Sequence, residues 1–578
     1  MKISTKFSDR MKALALAMFL SGSVATMQAA VHYVRMAADA TSWSGIAGAD
    51  IISSDTPEII ATDTYYFAKG TYTLIALGID PLTGGPASIT PAITTGAIFG
   101  GFSGTETTID LAARALSDKD GNGIVEPWEF TNETILKGNV PYADGEGSAL
   151  RLVTVTGGEI NGLTLADHYY FGQIKPTQIA YSGAIILGAV SSTPAVGDNV
   201  PEKAGKMLYC TVRKLRAGAN GPVMVTNSKS IIDKCLFEEC KSDGLVSNGG
   251  GGAIWMNSFG GTVSNSVLRN NIAFSGVSNS SGRGGAIYSS FNSTNTFANL
   301  GIIFNCAIYN NESGYSGGAI RIEGKDKSGL LGGQIINCSV VNNKTTGTGT
   351  ASVELIFDGQ LMVNTIVVGD AKDEIRPQAN NNHIASCVYG TKNGSIVMKP
   401  EDAAMASGKV TADLKFKKAT NYCGIMNSEE SDPFNQAVYD SIRTTNLTIV
   451  DASSPAVTTT GLTTMPAAFT SNPAIVPTAT IPATDLAGVA RTGAVTIGAY
   501  QFTGSSAVNA PKAENVTAYA VAGGILVSSK AGKIASVYSV AGKLISKEVL
   551  KADVQVINVA KGFYIVSVGS AKVKVLVK

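Results

Sequence analysis

Residues 118–129 read Asp-Lys-Asp-Gly-Asn-Gly-Ile-Val-Glu-Pro-Trp-Glu, a spacing that suits the binding of one hard cation. Asp118, Asp120 and Asn122 put side-chain oxygens at positions one, three and five; Gly123 at six lets the chain turn sharply. Ile124 at seven offers its backbone carbonyl and Glu129 at twelve a carboxylate. Such a loop gathers roughly six to eight oxygens around one point, the coordination that Ca2+ requires. The expected ion is structural, pinning a long loop. The pattern predicts a short helix over 108–116 before the loop and a strand over 130–136 after it, since Pro127 opposes a second helix.

A second set of residues points to binding. Trp255, Tyr288 and Arg321 each follow a Gly-Gly-Ala-Ile tetrapeptide, at 251–254, 284–287 and 317–320. If that slot faces outward, an aromatic–aromatic–arginine stripe runs along the surface, where a glycan ring or a surface protein could stack. If it faced inward, Arg321 would be buried without a partner, which is costly, so the outward orientation is expected. Acid–base chemistry is harder to assemble. His32, His168 and His383 stand neither beside a serine or cysteine nucleophile nor at metal-ligand spacing. Glu238, Glu239, Asp243 and Glu323 could supply a carboxylate pair for glycoside hydrolysis, but no catalytic residue is assigned.

The elements that position these residues follow from a repeat. The Gly-Gly-Ala-Ile copies recur every 33 residues and alternate with a second motif: Asn265–Asn271, Asn305–Asn311 and Asn337–Asn343, of the form Asn-Cys/Ser-x-(Val/Ile/Leu)-x-Asn-Asn. A unit used again and again cannot bury its apolar face alone and must stack on its neighbours. Each turn should hold three short strands joined by bends, with Ile254, Ile287 and Ile320 in one inward column and Leu268, Ile308 and Val340 in another. Asn suits the bends because it tolerates left-handed backbone and can bond the next turn. The slot after the first Asn aligns Gly162, Cys210, Cys235, Ser266, Cys306, Cys338, Thr365 and Cys387. A slot accepting Cys, Ser or Thr is small and buried, so an inward thiol ladder is expected over disulfides, with Cys235 and Cys240 left open as a pair.

These alternating units resemble the right-handed parallel β-helix proteins secreted by bacteria, the pectate-lyase-like family. The segment Ile98–Glu106 resembles the start of such helices; Ser454–Val457 and Asp485–Arg491, leading to Ile497–Tyr500, resemble the run that ends them. The resemblance implies an all-β fold, a single-stranded right-handed parallel β-helix over 31–505 with a capping region about 31–150. It leaves activity open, since the fold hosts lyases, hydrolases and adhesins. The Asp-Asp pair and Gly-His-Gly of the galacturonan hydrolases are missing. A lyase would draw on Glu374, Arg376 and the Asp and Lys residues between 323 and 376.

Both ends of the chain differ from the middle. Lys2, Lys6, Arg10 and Lys12, the apolar run 13–20 and the small residues 28–30 read as a signal peptide over 1–30. Residues 506–515 form a small-residue linker. Beyond it, short β runs at 524–527, 534–540, 554–559, 563–568 and 573–577 and a turn at 541–543 predict a β-sandwich over 516–578. Its Tyr538–Leu544 and Ala560–Val566 segments and basic tail resemble the sorting domain of proteins exported by the type IX route, implying an export machinery as partner. Net charge is +1, with +7 on residues 511–578, +3 on 1–30 and the balance acidic, so nucleic acid is not an expected partner. No stretch after the signal reaches 18 apolar residues, so no transmembrane helix is expected in the mature chain. These readings combine into a secreted or outer-membrane-associated surface protein for adhesion or glycan binding, the alternative being a β-helix polysaccharide lyase or glycoside hydrolase.

Overall fold

The computed structural model describes residues 29–503 and 517–577, apart from 75–76, 80–85, 89–91, 139–150, 171–182, 190–194, 246–248, 258, 277–280, 291–299, 324–331, 348, 350, 358, 370–372, 378–381, 391–407, 410–412, 427–433, 460, 466–479, 493, 522, 530–531 and 569–570. The expected signal segment, apart from residues 29–30, and the whole of the expected linker 506–515 fall outside these residues.

Parallel pairing dominates. Among the described residues, three long sheets of twelve, nine and fifteen strands run the length of the first unit, and nearly every pairing within them joins one coil to the next in parallel. Three residues is the commonest strand length, because the chain must bend to continue the coil. This is the expected parallel β-helix. In the twelve-stranded sheet one inward column runs Tyr65, Ile98, Ile160, Met207, Ile232, Val263, Ile303, Ile335, Met362 and Ile384. All ten are buried in one continuous core. Ile254, Ile287 and Ile320 are register partners in the nine-stranded sheet, as are Leu268, Ile308 and Val340 in the fifteen-stranded sheet. Burial of such columns, at about 25 cal/mol per Å2 of apolar surface, is what holds each coil to the next.

Two corners flank each strand of the fifteen-stranded sheet. At the first, Gly162, Tyr209, Lys234, Asn265, Asn305, Asn337, Asn364 and Ser386 all have φ between 46° and 70°. Gly162 therefore sits one place away from the slot assigned to it: register pairs Thr164 with Thr211, so Leu163 is the partner of Cys210. This coil fills the left-handed position with glycine, which needs no tolerant side chain. The slot itself holds Cys210, Cys235, Cys306, Cys338 and Cys387, all buried and unbridged; Cys240 and Cys423 are also free thiols. Each slot thiol donates to the carbonyl two residues back, as in Cys306 Sγ to Phe304 O at 3.2 Å, while Ser266 Oγ makes the same bond to Ser264 O at 2.6 Å. From Cys210 onward every slot residue is thus a small donor, whereas Leu163 fills the slot without one in the preceding coil.

At the second corner the paired asparagines divide their work. The inner members form a ladder, Asn271 Nδ2 donating to Asn311 Oδ1 and Asn311 Nδ2 to Asn343 Oδ1, both at 2.9 Å. The outer members, Asn270, Asn310 and Asn342, are left-handed and reach away from the core to a returning segment. After the two-residue strand Val388–Tyr389, described residues of 413–503 run back along the coil, covering the outer face of the fifteen-stranded sheet, while Leu462, Met465 and Ile481 pack against Leu361, Val363 and Ala385 of the twelve-stranded sheet. Asn310 Oδ1 accepts from Cys423 N at 2.9 Å, and Asn310 Nδ2 donates to Gly424 O at 2.9 Å. Asn270 makes the same two-way contact with Met426, and Asn342 bonds Thr420 O. Ile442, Leu447, Leu486 and Tyr500 then pack on Leu236, Val267, Ala307 and Tyr309.

The second compact unit spans Thr503–Lys578. It contains antiparallel sheets of three and four strands over a core of Ile525, Val527, Val537, Ile557 and Val566. The expected strands and turn are present, and Thr517–Val521 and Leu544–Val549 add two more.

Candidate functional site

The loop 118–129 closes on itself through its own acids. Asp118 accepts from Gly121 N at 2.8 Å and Gly123 N at 3.0 Å; Asn122 Oδ1 accepts from Ile124 N at 2.7 Å. Glu129 Oε1 accepts from Lys119 N at 2.8 Å, and its Oε2 accepts from Glu126 N at 2.9 Å. Carboxylate oxygens of Asp118, Asp120 and Glu129 converge within 4.8 Å of one another, the donor set a hard cation takes. Ahead of the loop, residues 108–116 form turns and an isolated bridge from Leu116 to Phe130 instead of the expected helix. Arg114 explains the difference: its guanidinium bonds Leu111 O, Gly100 O and Asn161 Oδ1 and lies 4.5 Å from the Phe130 ring centroid, holding the segment flat on the coil.

One further acid joins this cluster. Glu126, at position nine, is 4% exposed; its Oε1 accepts from Asn122 Nδ2 at 2.8 Å, and its Oε2 has no hydrogen-bond partner. Burial, with Asp120 close by, pushes its carboxyl up to about 9, and burial also raises Glu129. Crowded, desolvated carboxyls resist ionisation, and a bound cation would relieve that resistance.

The loop is anchored through Arg269, a residue the repeat made visible but whose role it did not. Its guanidinium is buried and donates to Asp120 Oδ2 at 2.6 Å, Glu238 Oε2 at 2.8 Å and Arg443 O at 2.9 Å. In this column the charges of Arg213, Glu238 and Arg269 give way to Tyr309 and Val341 in the next coils, so Arg269 is where the charged run ends. Asn446 Nδ2 donates to Asn122 O at 2.8 Å. The loop, the coil and the returning segment thus meet at one point. Beside it lies a cavity of about 160 Å3, bordered by Lys119, Glu133, Arg213 and Glu238.

Trp255, Tyr288 and Arg321 are register neighbours in the nine-stranded sheet. They face away from the interior, since Ile254 and Met256 on either side of Trp255 belong to the core. Orientation and exposure nevertheless come apart: the three are 5%, 2% and 7% exposed. Trp255 Nε1 donates to Ser290 Oγ at 2.8 Å, and the Tyr288 hydroxyl to Glu323 Oε2 at 2.8 Å. Arg321 is held between Glu323 and Glu354, so its burial is compensated by charge.

The carboxylates weighed for hydrolysis are likewise engaged. Glu238 faces Arg269, Glu239 accepts from the Tyr439 hydroxyl, Asp243 pairs with Arg216 at 2.9 Å and Glu323 with Arg283 at 2.6 Å. Burial alone would raise Glu238, but Arg269 and Arg443 outweigh it and hold this carboxyl below its usual range. His168 and His383 are buried. Of the lyase candidates, Glu374 accepts from Ser352 Oγ at 2.8 Å and Arg376 lies 3.3 Å from Glu354. Residues 324–331, 358 and 370–372 lie outside the described residues.

No helix among the described residues is long and apolar enough to cross a membrane. No curated protein matches the chain. Residues 504–577 match the family model described as Domain of unknown function (DUF6383), which coincides with the second compact unit.

Proposed function

We propose that this chain is an exported surface or secreted protein whose β-helix holds a glycan or a surface protein without transforming it. What supports this reading is how its charges are used. Glu238, Asp243, Glu323 and Glu354 are each engaged by arginines, the arrangement of a scaffold, and the carboxyl pushed up to about 9, Glu126, belongs to the acids of the cation loop. Ca2+ in the loop, held by Asp118, Asp120, Asn122, the Ile124 carbonyl and Glu129, belongs to this reading as a structural ion. The Glu126 oxygen without a partner supports it. Ca2+ at about a hundredfold excess over its dissociation constant should stabilise the chain by about 2.7 kcal/mol. Calorimetry showing no binding at millimolar Ca2+ would remove the ion.

The C-terminal unit enters as the element that an export machinery handles. Its net charge of +7 over 511–578, with Phe563 63% and Val540 71% exposed, suits a domain that meets a partner. The Trp255–Tyr288–Arg321 column remains a second place for a ligand, reached once the groups covering it part. A screen of the chain against a glycan panel with Ca2+, reading retention and released products by mass spectrometry, tests the function. Retention without products supports it; unsaturated or new reducing ends would replace it with the lyase or hydrolase alternative. Binding kept in a folded Trp255→Ala, Tyr288→Ala variant would dismiss the column.

A further inference from the structure

Two stretches far apart in sequence meet over the acids of the loop 118–129, and three ties hold them together. Asn446 Nδ2 donates to Asn122 O at 2.8 Å, across 324 positions of chain. This carbonyl stands between the Asn122 side chain and the Ile124 carbonyl, two of the expected ligands, so the returning segment grips the backbone that carries both. Arg269 makes the second tie, because its Nη1 donates to Asp120 Oδ2 at 2.6 Å and to Arg443 O at 2.9 Å. Asp120 Oδ1 stays turned into the loop, accepting from Asn122 N at 3.0 Å. The third tie is apolar. Trp128 shares one buried cluster with Ile442, Leu447 and Tyr500 of the returning segment, and Ile124 packs against it.

Charge decides what this closure costs. Glu126 and Glu129 are each 4% exposed, and among the described residues neither makes an ion pair. Arg269 already divides its charge between Asp120 and Glu238. Glu126 Oε2 also lacks a hydrogen-bond partner. Carboxylates buried without a counter-charge are costly, and undocking the segment returns them to water. A divalent cation supplies the missing charge, and its attraction to the acids is strongest where water is excluded. The loaded loop therefore favours the docked segment, and by linkage the docked segment favours the loaded loop.

We infer that Ca2+ binding in the loop 118–129 and docking of the returning segment are one coupled event, a cation-controlled strap over the outer face of the fifteen-stranded sheet. With the loop loaded, Asn446, Arg269 and Trp128 hold the segment down. With it empty, the segment lifts and uncovers Leu236, Val267 and Tyr309. The inference rests on the reading of the loop as a Ca2+ site and makes that ion the switch for an apolar face.

Calorimetry and hydrogen exchange on the intact chain, in chelator and in millimolar Ca2+, test it. Ca2+ should slow exchange at 420–426 and 436–449 by about tenfold or more, within the roughly 5- to 150-fold range of coupled equilibria, while strands 302–304 and 334–336 change little. Asn446→Ala removes no ligand, yet should bind Ca2+ about fivefold or more weakly, with those strands still protected. Asp118→Asn alters an exposed ligand and should move the protection to about tenfold higher Ca2+. Ca2+ that binds without slowing exchange in the returning segment, or slows it equally throughout the coils, overturns the strap and leaves the structural ion standing. Ca2+ held as tightly by Asn446→Ala as by wild type does the same. Protection unaltered in Asp118→Asn places the ion elsewhere and overturns both the loop site and the strap. No binding by calorimetry at millimolar Ca2+ also overturns both.

Discussion

The two faces of the fifteen-stranded sheet obey different rules. Inside, Leu136, Leu165, Val212, Phe237, Leu268, Ile308, Val340 and Val367 stack like on like, and each coil repeats the solution of the last. Outside, neighbours in one column are Glu238, Arg269, Tyr309 and Val341: the first two meet Arg443 of the returning segment, and the last two join its apolar cluster of Ile442, Leu447, Leu486 and Tyr500. Apolar burial needs only shape, so a repeat can supply it. Outer-face closure needs specific partners, supplied here by residues 78 to 200 positions away, as in Asn342 to Thr420, Arg269 to Arg443 and Tyr439 to Glu239.

The comparison breaks most readily at Arg269. Arg269→Ala leaves Glu238 and Asp120 buried without their cation and should cost about 3–5 kcal/mol in urea unfolding. A loss under about 1 kcal/mol would mean that the outer network contributes little to closure. The same pair sets an acid limit. Glu238 is held below its usual value of 4.5, so the stability it adds is full above that pH and is lost as pH falls through its folded value. Protease cleavage within 413–426 should therefore accelerate below about pH 4.5 before the coils themselves melt. Simultaneous loss of both would contradict a separable outer layer.

Adjacent asparagines sharpen the contrast. Asn311→Ala removes a fully buried amide with donors to Leu268 O, Tyr309 O and Asn343 Oδ1, and should cost about 2–3 kcal/mol. Asn310→Ala, one residue earlier, should cost about 1 kcal/mol and act on the returning segment alone, seen as faster exchange at 420–426. Equal losses would show that inner and outer asparagines do the same work. The smallest effect belongs to the thiol slot. Cys306→Ser should change stability by less than about 1 kcal/mol, because Ser266 already makes the slot's hydrogen bond.

Legibility in the sequence follows the same division. The Gly-Gly-Ala-Ile and Asn-Cys-x-Ile repeats sufficed for the coil, its inward columns and the unbridged thiols, since these depend on local spacing. Gly162 misled by one residue because glycine at a left-handed corner looks like a small residue in a slot. The helix expected over 108–116 did not form because Arg114 binds Gly100 O and Asn161, contacts that spacing alone cannot reveal. For the loop 118–129, position nine was the readable signal that Glu126 belongs with the acids. The cost of burying Arg321 unpaired predicts the outward orientation of Trp255, Tyr288 and Arg321, but nothing local indicates that the three would be covered, nor that Phe434 and Tyr439 would share a cavity with Lys214.

Hydrogen exchange of the intact chain, wild type against Arg269→Ala, tests the central claim most directly. The account predicts faster exchange at 420–426 and at the helix 436–443, with strands 302–304 and 334–336 still protected. Equal loss of protection in the returning segment and in those strands would contradict it.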